Sequence, residues 1–125
     1  MNYNNLAAIH QARGDTAEAE RLHRLALSMK EKLLGADHPD VAMSLNNLGV
    51  LLEDVGRLEE AEAHLRRAVE VFEKGHGAGH PRLNAGLENH ARVLRALGRT
   101  EEAGKAEERL PKAREGSKAG RRKSR

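Results

Sequence analysis

The chain has 125 residues, of which 33% are charged, 38% hydrophobic and 2% aromatic, and it contains no cysteine. That composition allows one modest domain with a core of Leu, Val and Ala, and it excludes disulfides, thiol chemistry and cysteine-held zinc. The net charge of +3 is uneven: residues 111–125 hold seven basic groups against Glu115 alone, a balance of +6, which leaves −3 for the first 110 residues.

In chain order, the first predicted hairpin opens near Met1 and is interrupted by Gly14, which stands 42 residues before Gly56 and 84 before Gly98. Ala19, Ala61 and Ala103 keep the same interval, as do Asn5, Asn47 and Asn89. A fixed period in the tens of residues marks a solenoid, in which each unit buries its apolar face only against its neighbours. The linker Leu34-Gly35-Ala36-Asp37-His38-Pro39 is echoed by His76-Gly77-Ala78-Gly79-His80-Pro81.

The second unit is the clearest. Val41, Ala42, Leu45, Leu48, Leu52 and Val55 recur at three- and four-residue steps, the stripe of one helix. Pro39 suits its first turn, Asp40 suits the positive end of its dipole, and Gly56 ends it. Glu59 and Glu60 open the next helix, which turns Ala61, Leu65, Ala68, Val69 and Phe72 inward, and Gly75, Gly77 and Gly79 are expected to break it. The small residues Ala19, Ala26, Ala61 and Ala68 let paired helices approach, and Leu6, Leu48, Leu45 and Leu87 fill the space between units. The third unit departs from the pattern, with His90 at the position of Leu6 and Leu48, Gly104 at that of Glu20 and Glu62, and Pro111 where Leu27 and Val69 stand. That proline should end the last helix early.

The segments Leu45-Asn46-Asn47-Leu48-Gly49, Gly56-Arg57-Leu58-Glu59-Glu60-Ala61-Glu62, Arg67-Ala68-Val69 and His38-Pro39-Asp40-Val41-Ala42 together resemble the tetratricopeptide repeat, in the 42-residue form typical of kinesin light chains. The resemblance covers about residues 3–110. It implies an all-α, right-handed solenoid of about three hairpins (units near 1–37, 38–79 and 80–110), followed by a disordered basic tail over 111–125.

In that family the first helix of each hairpin lines a concave groove for an extended or helical peptide. Carried over by position, the resemblance places Asn4, Asn5, Ala8 and Gln11 on the groove in the first unit. The second contributes Asn46, Asn47, Val50, Glu53 and Asp54, and the third Glu88, Asn89, Arg92 and Arg95. The amide of asparagine donates and accepts, so a series of them can grip a peptide backbone whatever its side chains. The family's carboxylate clamp would need cations at Met1, Met43 and Ala85, and none is there. Arg92 and Arg95 favour an acidic or aromatic segment while Glu53 and Asp54 favour a basic one, so a ligand of mixed charge is expected.

No other chemistry stands out. His76 and His80 are separated by glycines, no carboxylate cluster completes a metal ligand set, and the glycines of 75–79 lack the lysine of a phosphate loop. The sequence therefore predicts no catalytic residues, no metal and no cofactor. No apolar run approaches the roughly 18 residues of a membrane span, and no secretory signal is evident, so a cytoplasmic protein is expected. The predicted function is a protein–protein interaction scaffold that docks a partner peptide or helix. Two alternatives stand beside it. The basic tail, which lacks aromatics, could make weak non-specific contact with a polyanion such as nucleic acid, or the terminal hairpins could mediate self-association.

Overall fold

The computed structural model of the protein describes residues 3–76 and 80–110, with side chains described over 5–75 and 80–110. These residues form six helices and no strand: α1 (Tyr3–Ala12), α2 (Thr16–Leu34), α3 (Pro39–Asp54), α4 (Leu58–His76), α5 (Pro81–Ala96) and α6 (Thr100–Glu108). Each helix packs on the one before and the one after, giving three hairpins in line, an all-α solenoid. The expected tail lies outside the described residues.

The turns within hairpins are three copies of one device. Gly56 takes φ +85, its N–H donates to the Glu53 carbonyl at 3.0 Å, and the Arg57 N–H donates to the Leu52 carbonyl at 2.9 Å. This double bond to the last turn is a Schellman stop, which needs a left-handed residue and so favours glycine. Gly14 and Gly98 repeat it, with Asp15 bonded to the His10 carbonyl and Arg99 to the Leu94 carbonyl, both at 2.8 Å.

The turns between hairpins rest on histidine. His38 Nδ1 accepts from the Asp40 N–H at 3.0 Å, and His80 Nδ1 accepts from the Arg82 N–H at 3.1 Å. Each thus caps a first helix whose next residue is proline, satisfying a donor the helix cannot. The repeated His-Pro pair is therefore structural.

One continuous core runs from the second hairpin into the third, where Val41, Leu45, Val69, Phe72, Leu83, Leu87 and Leu94 pack together. A second cluster sets Val93 against Leu48, Leu52, Ala61 and Leu65, and a third sets Leu51 against Ala7, Ala19 and Leu22. Close approach explains one glycine that sequence reading passed over: a Cβ on Gly49 would lie 2.6 Å from Leu65 Cγ. Two expectations are corrected. Gly75 does not break α4 but lies within its last turn, where a Cβ would stand 3.0 Å from Pro39 Cγ, so its role is close packing on the start of α3. Val55 does not extend the buried stripe of α3, because it falls past the helix end and is 41% exposed.

Two ladders of ion pairs join consecutive units. Arg57 meets Glu20 at 2.7 Å, and Arg99, one period on, meets Glu62 at 3.6 Å. Arg67 meets Glu31 at 2.7 Å, and Arg109, one period on, pairs with Glu73. His90 stands where the other units have leucine, and its Nε2 lies 2.9 Å from Oε2 of the buried Glu62. Proline at 111 accords with α6 stopping after 9 residues, against 19 in α2 and α4.

Candidate peptide-binding groove

The residues expected on the groove lie on α1, α3 and α5, on the sides of those helices that the hairpin cores leave free. Asn5, Ala8, Asp54, Arg92 and Arg95 are exposed, and Gln11, Asn46, Asn47, Val50, Glu53, Glu88 and Asn89 are half-buried. Asn4 falls in α1, but its side chain lies outside the described residues.

Neighbouring first helices are tied across this face by side-chain pairs. Gln11 donates to an Asp54 carboxylate oxygen at 3.3 Å, joining α1 to α3. Asn89 Nδ2 donates to Asn46 Oδ1 at 3.0 Å, and Arg92 holds Glu53 through two bonds of 2.6 Å, both joining α3 to α5. Arg95 makes a similar two-pronged contact with Glu107 of α6. The three periodic asparagines are thus used differently. Asn89 is engaged with Asn46 between units, whereas Asn5 and Asn47 border a recess of about 270 Å³ together with Ala8, Gln11, Val50 and His23.

That recess contains the residue the sequence reading missed. His23 comes from α2, is 3% exposed, and stands where the second unit has Leu65 and the third Glu107. Burial pushes its imidazole below the ordinary histidine range, so it is neutral at physiological pH. The signal available was a polar residue at a register position that is apolar in the clearest unit.

A second, larger recess of about 590 Å³ lies against α5 and α6, lined by Glu88, Ala91, Arg92, Arg95, Glu107 and Leu110. Here the two arginines are already engaged. Hydrogen bonding to Glu53, with further attraction from Asp54 and Glu88, holds Arg92 protonated even more firmly than usual, and Glu107 does the same for Arg95. Arg92 is therefore one cation among three carboxylates.

No group of three or more metal-ligating side chains occurs among the described residues, and none of their helices is long and apolar enough to cross a membrane.

A family model described as "Tetratricopeptide repeat" matches residues 1–74 and again 40–115. No curated protein matches the chain. Among solved structures, kinesin light chain nearly identical TPR-like repeats from Podosopora anserina match with 27% identity and a TM-score of 0.78, over 86% of this chain and 51% of that one. BtubC (BKLC) from P. vanneervenii matches with 23% identity and a TM-score of 0.79, over 86% of this chain and 42% of that one. The chain therefore spans about half, or less, of the length of the structures it matches.

Proposed function

We propose that this chain, which belongs to the tetratricopeptide repeat family, is a protein–protein interaction module that docks a peptide segment of a partner on the shared face of α1, α3 and α5. The observation that carries this reading is the recess between the first two units, where amides from α1 and α3 surround a small apolar wall of Ala8 and Val50. Such a wall fits one modest side chain, while Asn5, Gln11 and Asn47 offer donors and acceptors to the peptide backbone around it. The cross-helix pairs Gln11–Asp54, Asn46–Asn89 and Glu53–Arg92 fix the spacing of the first helices before any ligand arrives. A preformed face lowers the ordering cost of binding.

The charges sharpen the expected ligand. With Arg92 engaged by Glu53, Asp54 adds further negative charge beside the pair. A cationic side chain beyond the anchored one is favoured there, and an acidic one is disfavoured. In this reading the chain has no chemistry of its own.

The test is peptide display against the full chain, followed by binding measurements on variants whose helicity is intact. Asn47→Ala combined with Val50→Arg should weaken selected peptides by at least about tenfold, because the recess is then filled and its amide gone. Deletion of residues 111–125 should leave that binding in place. Binding confined to nucleic acid and lost with residues 111–125 would move the function to the basic tail.

A further inference from the structure

The 42-residue period brings His23, Leu65 and Glu107 to one register position on the second helices. In the second unit Leu65 is fully buried and packs in one cluster with Val93 of the next first helix. In the third, Glu107 pairs with Arg95 at the surface. His23 fits neither case. It is 3% exposed, yet it borders the recess between α1 and α3 together with Asn5, Ala8, Gln11, Asn47 and Val50. Burying an imidazole costs transfer free energy that leucine at this position would not. The position is buried like a core residue and polar like a surface one.

The recess thus has two chemically distinct sides. Ala8 and Val50 supply a small apolar patch, whereas Asn5, Gln11, Asn47 and His23 supply amides and a neutral imidazole. No cation lines it, and the nearby Asp54 carboxylate, which accepts from Gln11 at 3.3 Å, adds negative charge. Asn5 and His23 each already interact with a neighbour in the fold. A ligand group must therefore join an existing polar network and leave no member unsatisfied.

That requirement sorts the candidate side chains. An aliphatic group would cover the network and strip its water, which is costly for buried donors and acceptors. A carboxylate or a phosphate would find only neutral partners and the charge of Asp54. A hydroxyl donates one bond and accepts up to two, so it suits an imidazole in either tautomer and an amide in either orientation. A methyl on the same carbon as that hydroxyl would answer the patch of Ala8 and Val50. Threonine carries both groups.

We infer that the partner segment docks by a threonine, its methyl against Ala8 and Val50 and its hydroxyl toward the ring of His23. His23 then sets which side chain is accepted, while Asn5 and Asn47 hold the backbone beside it. The inference rests on the groove reading and names the chemistry of the side chain that the groove takes. It also makes the site one that refuses phosphothreonine, since a dianion meets no cation there.

Selection of random displayed peptides on the full chain, followed by calorimetry on synthetic variants of the best sequence, tests it. Threonine should recur at one position of the selected peptides. Replacing it with valine, alike in shape but without the hydroxyl, should weaken binding by at least about tenfold. Phosphothreonine should weaken it at least as much. In His23→Leu, which takes the residue type of Leu65, the order of threonine and valine should vanish or reverse. The comparison on the wild-type chain needs no variant, so it holds even if His23→Leu unfolds. Valine bound as well as threonine, a threonine preference that survives in His23→Leu, or tighter binding of phosphothreonine would each overturn the inference. Peptides that are lost in Asn47→Ala with Val50→Arg but show no threonine preference would sink this inference and leave the groove reading standing. Peptides indifferent to that double substitution would defeat both.

Discussion

The first and third hairpins follow one 42-residue pattern and finish in opposite ways. In the first, α2 runs 19 residues and turns Leu25, Met29 and Leu33 outward. In the third, α6 runs 9 residues, buries only Ala103 and Ala106, and turns Glu101, Lys105 and Glu108 outward. The backbone device that ends each first helix is identical, with Gly14 and Gly98 at φ +83 and +82. Period therefore governs where the chain turns, while single substitutions at ladder positions decide which ion pairs each hairpin can make. Asp15 and Leu25 in the first hairpin, and Gly104 in the third, carry that difference.

The largest effect expected from this contrast lies at one register position in successive units. Leu51 is buried among Ala7, Ala19 and Leu22, so Leu51→Ala should cost about 3 kcal/mol of unfolding free energy. Ile9, one period earlier, is 38% exposed, and Ile9→Ala should cost less than about 0.5 kcal/mol. Denaturant unfolding measures both, and equal losses would break the comparison.

The ladder gives the next effect. Glu62 is buried and faces His90 at 2.9 Å, Arg66 at 3.5 Å and Arg99 at 3.6 Å. Glu62→Ala leaves the half-buried His90 without its acceptor, while Arg99 keeps Glu102 at 2.7 Å, and should cost about 2 kcal/mol. Glu20→Ala should cost less, since Glu20 is more open to water and Arg57 keeps Glu60 as a second partner at 2.7 Å. Gly104→Glu should be neutral within about 0.5 kcal/mol, because no arginine among the described residues waits for it. A loss at Gly104 as large as at Glu62 would break the contrast between the second and third hairpins.

Much of this architecture is legible in the amino-acid order because it depends on short-range spacing. The glycine stops, the proline starts and the inward faces of α3 and α4 follow from residues within one or two turns of each other. What the sequence conceals depends on the sideways register of neighbouring helices. Gly75 reads as a breaker until its distance to Pro39 is known, and Arg92 reads as a free cation until Glu53 is seen beside it. His23 reads as one of seven histidines, with nothing nearby in the chain to place it under Asn5 and Asn47. Even so, the ladder left a trace: Glu20–Arg57 and Glu62–Arg99 have one and the same separation. A repeated charge pair at constant offset is a long-range contact that sequence reading can recover in a repeat protein.

The interhairpin caps should give a smaller, matched pair of effects. His38→Ala and His80→Ala each remove the side-chain acceptor that caps α3 and α5, and each should cost about 1 kcal/mol. Asparagine at either position should restore most of the loss, because its short carbonyl reaches the same N–H. Hydrogen exchange at the first turns of α3 and α5 would report the fraying locally. A loss at His38 alone would show that the two linkers, though alike in sequence, do not carry equal load.

The smallest effect separates the two end hairpins by pH. Burial depresses the His23 imidazole below its ordinary value of 6.5. Above that value the side chain is neutral in the folded and unfolded states, and its favourable packing is fully expressed. As pH falls below 6.5 the unfolded chain takes up a proton that the folded chain still refuses, so stability declines until the lower folded value is passed. At the same register position the third hairpin has Glu107, whose carboxyl Arg95 holds below its ordinary 4.5. Its contribution persists through the histidine window and begins to fall only below 4.5, where unfolded carboxylates protonate. Hydrogen exchange followed from about pH 7 to about pH 5 should therefore show α1 and α2 loosening while α5 and α6 hold. His23→Leu, the residue type that Leu65 supplies in the second unit, should flatten that response. If the flattening is absent, the acid sensitivity of the first hairpin arises elsewhere, and the recess under Asn5 and Asn47 does not depend on a neutral imidazole.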